Sequence, residues 1–269
     1  MKTFLEFIVE AQRYFTQSGF ERLKEYKDDP NIFISYRSIN KLGINPKNEF
    51  NTPIAIYSYN LKDMWSEIEK FKDSSFVPFA GEHPFIYVFK VKPEYTNKVL
   101  FDIYKYNSAD YDRDIDKLNQ FCNTLLDKEK SIDNDFNEHQ LYSAIMTLTD
   151  RSIRYARVKN PFGFIWYITR ELSLILPKIT NTYSNSNVTV IWNMLLRKVL
   201  GYYGFVDKGQ GIIHPSETKQ GLFLSKDCIE EIDLIRNVTA DKTVRTKPFG
   251  TLSKDFDKSE LKLYAKVGY

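Results

Sequence analysis

The chain has 269 residues, of which 42% are hydrophobic and 15% aromatic. That apolar content supports a sizeable core and excludes a globally disordered protein. The net charge is only +3, too small a surplus to predict a general attraction to nucleic acid. The two cysteines, Cys122 and Cys228, lie far apart in the sequence. Their spacing predicts free thiols in a reducing, intracellular setting rather than a disulfide framework.

The N-terminal third predicts a β-rich arrangement. Apolar residues recur at helical spacing up to about Lys27, and Asp28-Asp29-Pro30 ends that helix. A loop is predicted over 40–51 and a short amphipathic helix over 61–72. Strands are predicted, from alternating and aromatic residues, at 31–37, 53–59 and 84–92.

The rest of the chain first becomes helical and then returns to β structure. The predicted elements are helices over 111–176 with one break at 160–163, a polar loop at 179–187, a helix at 188–200, strands at 202–207 and 220–225, and a short helix ending at Ile232. This order predicts an α+β fold in which a split mixed sheet surrounds a cleft. We expect one domain over 11–240 with a helical insertion at about 111–178, followed by a polar tail over 241–269.

Common catalytic and nucleotide-binding motifs do not occur in the sequence: it has no GxxxxGK[ST], GxGxxG, HExxH or GxSxG. The histidines have no metal-ligand spacing, and no apolar run is long enough to span a bilayer. The carboxylates of 110–116 are interpreted as a solvated helix face. One side of a predicted helix carries Arg151, Arg154 and Arg157, which favours a solvated basic face over a phosphate-binding site.

Two segments of the chain, taken together, resemble a known family. The first is FISYRSINKLGINPKNEFNTPIAIYSY, and the second is WNMLLRKVLGYYGFVDKGQGIIHPSETKQGLFLSKDCIEEI. They resemble the ADP-ribosyltransferase fold, including its diphtheria-toxin and poly-ADP-ribose-polymerase branch, over about half the chain. The family's three motif strands look like Tyr36-Arg37-Ser38, Ala55-Ile56-Tyr57-Ser58 and Gln220-Gly221-Leu222-Phe223.

The resemblance implies NAD as the substrate, with Tyr36, Arg37, Ser38 and Tyr57 as its binding residues. Cleaving the bond between nicotinamide and ribose develops positive charge on the sugar, so the site needs an aromatic face for the leaving ring and a carboxylate for the sugar. Tyr57 fits the stacking role, and Arg37 fits a toxin-like pattern in which a strand-end arginine binds NAD.

The sequence departs from the family pattern at the catalytic position. Gln220 stands where the last strand would open with Glu, and an amide can bind a ribose hydroxyl but cannot act as a base. Glu217 lies three residues earlier, so the catalytic assignment is Glu217 together with Gln220. Tyr57 as a core aromatic, Arg37 as a surface residue and His214 as a loop hydrogen-bonding residue stay open as alternatives.

The N-terminus carries a second resemblance. MKTFLEFIVEA looks like the capsid-targeting leader of internal head proteins in large tailed phages, which is cut after an Ile/Leu-x-Glu site. Ile8-Val9-Glu10 matches that site, so residues 1–10 would form a cleavable leader and Ala11 the new N-terminus. An ordinary amphipathic helix is the alternative. The leader implies packaging in the phage head and a protein found in the virion interior and the host cytoplasm.

Together the two resemblances imply a phage-encoded mono-ADP-ribosyltransferase-like protein. It would use NAD to modify a host protein or nucleic acid, with no membrane partner. The alternative is a non-catalytic virion or host-takeover binding protein that retains the fold.

Overall fold

The computed structural model of the protein describes residues 19–37, 55–69, 85–130, 161–180, 188–208 and 218–236. Its strands are β1 (Phe33–Arg37), β2 (Ile56–Asn60), β3 (Phe85–Val91), β4 (Val99–Leu100), β5 (Gly204–Asp207), β6 (Gln220–Phe223) and β7 (Ile229–Arg236). Its α-helices are α1 (Gly19–Lys24), α2 (Leu61–Glu69), α3 (Ser108–Lys130), α4 (Pro161–Thr180) and α5 (Val188–Met194). A π-helical turn, Leu195–Val199, continues α5.

The strands form one seven-stranded mixed sheet in the order β4-β5-β6-β2-β1-β3-β7. β1 pairs antiparallel with both β2 and β3, β2 with β6, and β3 with β7, whereas β4 and β5 run parallel. The predicted α+β class with a mixed sheet is therefore confirmed. The order also places late strands beside early ones.

The described residues group into two compact units. A sheet unit holds 19–37, 56–69, 85–97, 206–208 and 218–236, and a helical unit holds chiefly 98–130, 161–180 and 188–205. The domain limits inferred from sequence stay a prediction.

Each face of the central strands carries a separate set of buried residues, because successive side chains in a strand point to opposite sides. On one face, the ring of Phe223 meets those of Phe33 and Phe89 edge-on, with centroids 5.2 and 5.5 Å apart. The other face is aliphatic and packs against residues of α1 and α2, in a cluster made of Leu23, Ile32, Ile34, Leu61, Met64, Ile68, Ile86, Val88 and Ile235.

A buried asparagine joins β2 to α2. Asn60 donates through Nδ2 to the carbonyls of Pro30 at 2.8 Å and Ile32 at 3.3 Å. Its Oδ1 accepts from the backbone N–H of Asp63 at 3.2 Å, which satisfies one of the free donors at the start of α2. This one side chain therefore fixes the angle at which the helix leaves the strand.

An ion pair attaches α1 to the edge strand β7. Arg22, only 6% exposed, donates to the carboxylate of Asp233, and Tyr26 donates its hydroxyl to the same carboxylate at 3.3 Å. A buried charge is tolerated when it is paired and hydrogen-bonded, as it is here.

Aromatic residues fill the core of the helical unit. Phe162 lies 5.4 Å from Tyr106 and 5.0 Å from Phe205, and Trp166 lies 4.6 Å from Trp192, measured between ring centroids. The indole N–H of Trp192 needs a partner once buried, and it donates to Thr169 Oγ1 at 2.9 Å.

The solvated face predicted for 110–116 is wrong at one position. Asp112 and Asp116 are exposed, but Asp114 is fully buried. Its Oδ2 accepts from the hydroxyls of Tyr106 at 2.9 Å and Tyr202 at 2.5 Å, and its Oδ1 accepts from Arg113 at 3.0 Å. These donors compensate for the lost hydration of the carboxylate, which a reading of charge runs alone does not anticipate.

The helix α4 begins at Pro161, inside the predicted break at 160–163, and this first-turn position needs no N–H donor. Residues 131–160 lie outside the described part, so the predicted helix before the break stays a prediction. One further element differs from the sequence prediction. The short helix predicted up to Ile232 is present only as a 3₁₀ turn at Lys226–Cys228 and is wrong from Ile229 onward, where β7 extends to Arg236 and pairs with β3. Pairing with a neighbouring strand outweighed the local helix-forming tendency of the glutamates.

We expect Gly221→Ala to destabilise the protein, because β2 and β6 approach closely at this point. A Cβ atom there would lie 2.6 Å from Ser58 Oγ and 2.7 Å from a ring carbon of Phe223. The free energy of unfolding, measured in urea, should fall by about 1–3 kcal/mol. Adding Ser58→Ala removes one clash, so the double variant should lose less than the sum of the single losses. A loss in the double variant equal to the sum of the two single losses would contradict a close contact between Gly221 and Ser58.

The hydrogen bonds around the buried Asp114 carboxylate also predict a dependence of stability on pH. Burial, and then the charge of Asp114, raise the pKa of Tyr106 in the folded protein. The stabilisation from this shift is complete below about pH 10, the ordinary tyrosine pKa, and is lost as the pH rises further. Between pH 10 and 11 the unfolding free energy of the wild type should fall more than that of Tyr106→Phe, by about 1 kcal/mol. Equal slopes in urea denaturation would refute this.

Candidate functional site

The structure places three of the six sequence-predicted site residues with their side chains. Tyr36 lies in β1, Tyr57 in β2, and Gln220 opens β6. Arg37 is described through its backbone, as the last residue of β1 and the partner of Phe85. Ser38 and Glu217 lie outside the described residues.

Tyr57 and Gln220 lie on one face of the sheet. In the antiparallel β2–β6 pair, Tyr57 is opposite Leu222 and Tyr59 is opposite Gln220. Directly opposite side chains share a face, and residues two apart in a strand share it too, so Tyr57 and Gln220 are diagonal neighbours. The first strand and the Gln220 strand belong to one sheet, with β2 between them.

Two more tyrosines lie on the same face of the sheet, which we call the tyrosine face and define by Tyr36, Tyr57, Tyr59 and Gln220. It is the face that packs against α1 and α2, and Tyr36 and Tyr59 lie against the aliphatic cluster there. The rings of Tyr36 and Tyr59 lie 6.2 Å apart. Tyr36 also donates its hydroxyl to Met64 Sδ at 3.7 Å, so its side chain is anchored against α2. Burial raises the pKa of both Tyr36 and Tyr59, so both rings stay neutral in the physiological range.

Two serines hold the β2 backbone from the opposite face. Ser35 donates its hydroxyl to the carbonyl of Tyr57 at 2.6 Å, and Ser58 donates to the carbonyl of Gly221 at 3.0 Å. Both serines are buried. They position the strand segments that carry Tyr57 and Gln220. Sequence reasoning missed their role, and the signal that would have shown it is a serine inside an otherwise apolar or aromatic strand pattern.

The amide of Gln220 is the most unusual feature of the site. The residue is 6% exposed, and its Nε2 is buried without a hydrogen-bond partner among the described residues. A buried amide donor without a partner is costly, so such groups in native proteins call for an explanation. Here it provides a donor beside the tyrosine rings.

The described side chains of the tyrosine face are uncharged. On the tyrosine face, β1, β2 and β6 contribute Ile34, Leu222 and the four defining residues, none of them charged at neutral pH. Aromatic faces can stack on a flat ring, and the amide can form a hydrogen bond. General acid or base catalysis would need a carboxylate from outside these described side chains.

The cysteines do not add a nucleophile. Cys122 and Cys228 are buried free thiols, and burial raises the pKa of each to about 12. A thiol with such a pKa is protonated at neutral pH, and the thiolate is the reactive form. Cys228 donates instead to the carbonyl of Ser225 at 3.0 Å.

The described ranges define the class of the protein as α+β with a mixed sheet. No family model matches the chain, and no curated protein or solved structure matches it either. In the part of the chain that the structure describes, no helix has the length and apolar character needed to cross a membrane, and no three metal-ligating side chains cluster. His214 and the three arginines at 151, 154 and 157 lie outside that part.

Proposed function

We propose that this chain is a mono-ADP-ribosyltransferase-like protein that binds NAD at the tyrosine face and modifies a host macromolecule. The observation that supports the proposal most is the position of Tyr57 beside Gln220 on adjacent strands. These residues come from the two sequence segments that resemble the transferase family. β1, which ends in Arg37, lies directly next to β2. The three motif segments are thus neighbours in one sheet.

Each of these residues has its own role in the proposed reaction. Tyr57 would stack on the nicotinamide ring, and Arg37 would bind the diphosphate, for which a guanidinium is well suited. Gln220 would hydrogen-bond the ligand. Glu217 would carry the negative charge that stabilises the developing positive charge on the ribose.

The first test concerns the proposed carboxylate. We expect Glu217→Gln to abolish labelling of a host lysate by radioactive NAD, with a loss of about a hundredfold or more, because it removes the only charge assigned to the sugar. Gln220→Ala should reduce labelling less. Glu230→Gln, which changes an exposed glutamate of β7, is the matched control and should label like the wild type. Equal labelling by the wild type and Glu217→Gln would show that Glu217 does not stabilise the positive charge on the ribose and that another residue does.

A second test concerns stacking. Tyr57→Ala should weaken NAD binding by about twofold to tenfold, since stacking contributes about 0.5–1.5 kcal/mol beyond burial. Tyr57→Phe keeps the ring and should bind NAD like the wild type. Calorimetric titration of the three proteins measures the difference. If Tyr57→Phe loses as much affinity as Tyr57→Ala, the hydroxyl and not the ring face contacts NAD.

The second candidate function is NAD binding without transfer. It is favoured by Gln220, because an amide occupies the strand position where the resemblance expects a catalytic carboxylate. In that case the wild type would bind NAD in the titration and label nothing in any lysate. The protein would then act as a virion or host-takeover binding protein.

Packaging in a phage head is part of the proposal on sequence grounds alone. It depends on the resemblance of residues 1–10 to a capsid-targeting leader, and the structure does not describe those residues. The acceptor, a host protein or a nucleic acid, is proposed on the same basis.

A further inference from the structure

Gln220 and Asn60 are two buried amides on adjacent strands of the same sheet, and their hydrogen bonding differs. Asn60 is 1% exposed and donates through Nδ2 to two carbonyls, while its Oδ1 accepts from a backbone N–H. Gln220 is 6% exposed, and in the part of the chain that the structure describes its Nε2 has no hydrogen-bond partner. An apolar residue of the same shape would avoid that cost. No described residue accepts a hydrogen bond from this donor, so we consider it as the group that a ligand would engage.

The surroundings of Gln220 restrict what that partner can be. Within β2 and β6, its neighbours on the tyrosine face are Tyr59 opposite, Tyr57 diagonally, and Leu222 along the strand. None of these side chains is a cation. A single amide donor does not offset the desolvation of a buried carboxylate or phosphate, whereas it suits a neutral oxygen. The ring faces beside it favour a flat group next to that oxygen.

We propose that Gln220 is a specificity residue that donates from Nε2 to an uncharged carbonyl oxygen on a flat ring, and that in NAD this oxygen belongs to the carboxamide of nicotinamide. This assignment rests on the proposed NAD-binding function. It makes the site selective for the amide of nicotinamide over the carboxylate of nicotinic acid. Gln220 is then kept for binding although it lowers the stability of the unliganded protein.

The first measurement needs no ligand. Gln220→Met keeps the shape of the side chain and removes the unpaired donor, so the unliganded variant should melt about 2–4 °C higher than the wild type. Asn60→Leu removes an amide that is fully hydrogen-bonded and is the matched control. It should melt several degrees lower. A Gln220→Met protein that melts at or below the wild-type temperature would overturn the inference, because its donor would then be satisfied.

The second measurement is calorimetric titration with NAD and with nicotinic acid adenine dinucleotide. The wild type should bind NAD at least about tenfold more tightly than the acid form. Gln220→Met should lose about tenfold in NAD affinity and most of the preference. Gln220→Glu should bind NAD still more weakly, because a carboxylate cannot donate and would face the carboxamide oxygen.

The outcomes separate this inference from the proposed function. A wild type that binds both dinucleotides equally, or a Gln220→Glu protein that keeps its NAD affinity, overturns the inference and leaves NAD binding standing. A wild type that binds neither dinucleotide overturns the proposed function and the carboxamide assignment together. The melting temperatures decide independently whether residue 220 carries an unsatisfied donor.

Discussion

The pairing of β2 with β6 is the constraint on which the rest of the sheet unit depends. It joins a strand from the first quarter of the chain to one from the last quarter, and it is tight. At Gly221 no side chain larger than hydrogen fits between Ser58 and the ring of Phe223. The Ser58 hydroxyl closes the same contact by donating to the Gly221 carbonyl. The register set here determines which residues of β6 reach the tyrosine face.

Both units rely on buried charges that are fully engaged. In the sheet unit, Arg22 and Tyr26 satisfy the Asp233 carboxylate. In the helical unit, Tyr202 and its neighbours satisfy Asp114. Such pairs are costly to break because the remaining partner stays buried and unpaired, so they specify one arrangement of helix and strand. The amide of Gln220 differs from these groups, because its Nε2 has no hydrogen-bond partner in the described ranges.

The tyrosine face combines rigidity with binding chemistry. On the opposite face of the sheet, the hydroxyls of Ser35 and Ser58 hydrogen-bond to backbone carbonyls of β2 and β6. The hydroxyl of Tyr36 donates to Met64. The ring of Tyr57 and the amide of Gln220 are therefore carried on strands rather than on loops. Sites on regular elements keep their geometry better than sites on loops, which suits the recognition of a small planar group.

Local pattern determined much of this protein. Alternating and aromatic residues predicted β1, β2, β3 and β6, helical spacing predicted α2 and α5, and residue types singled out Tyr57 and Gln220. Each of these signals lies within about ten residues, where backbone geometry imposes its own periodicity. Only the tertiary structure decided that β7 is a strand, because that depends on pairing with a distant β3. Only it showed that Asp114 is buried and that the Gln220 Nε2 has no hydrogen-bond partner among the residues described, since both depend on neighbours that no local pattern encodes.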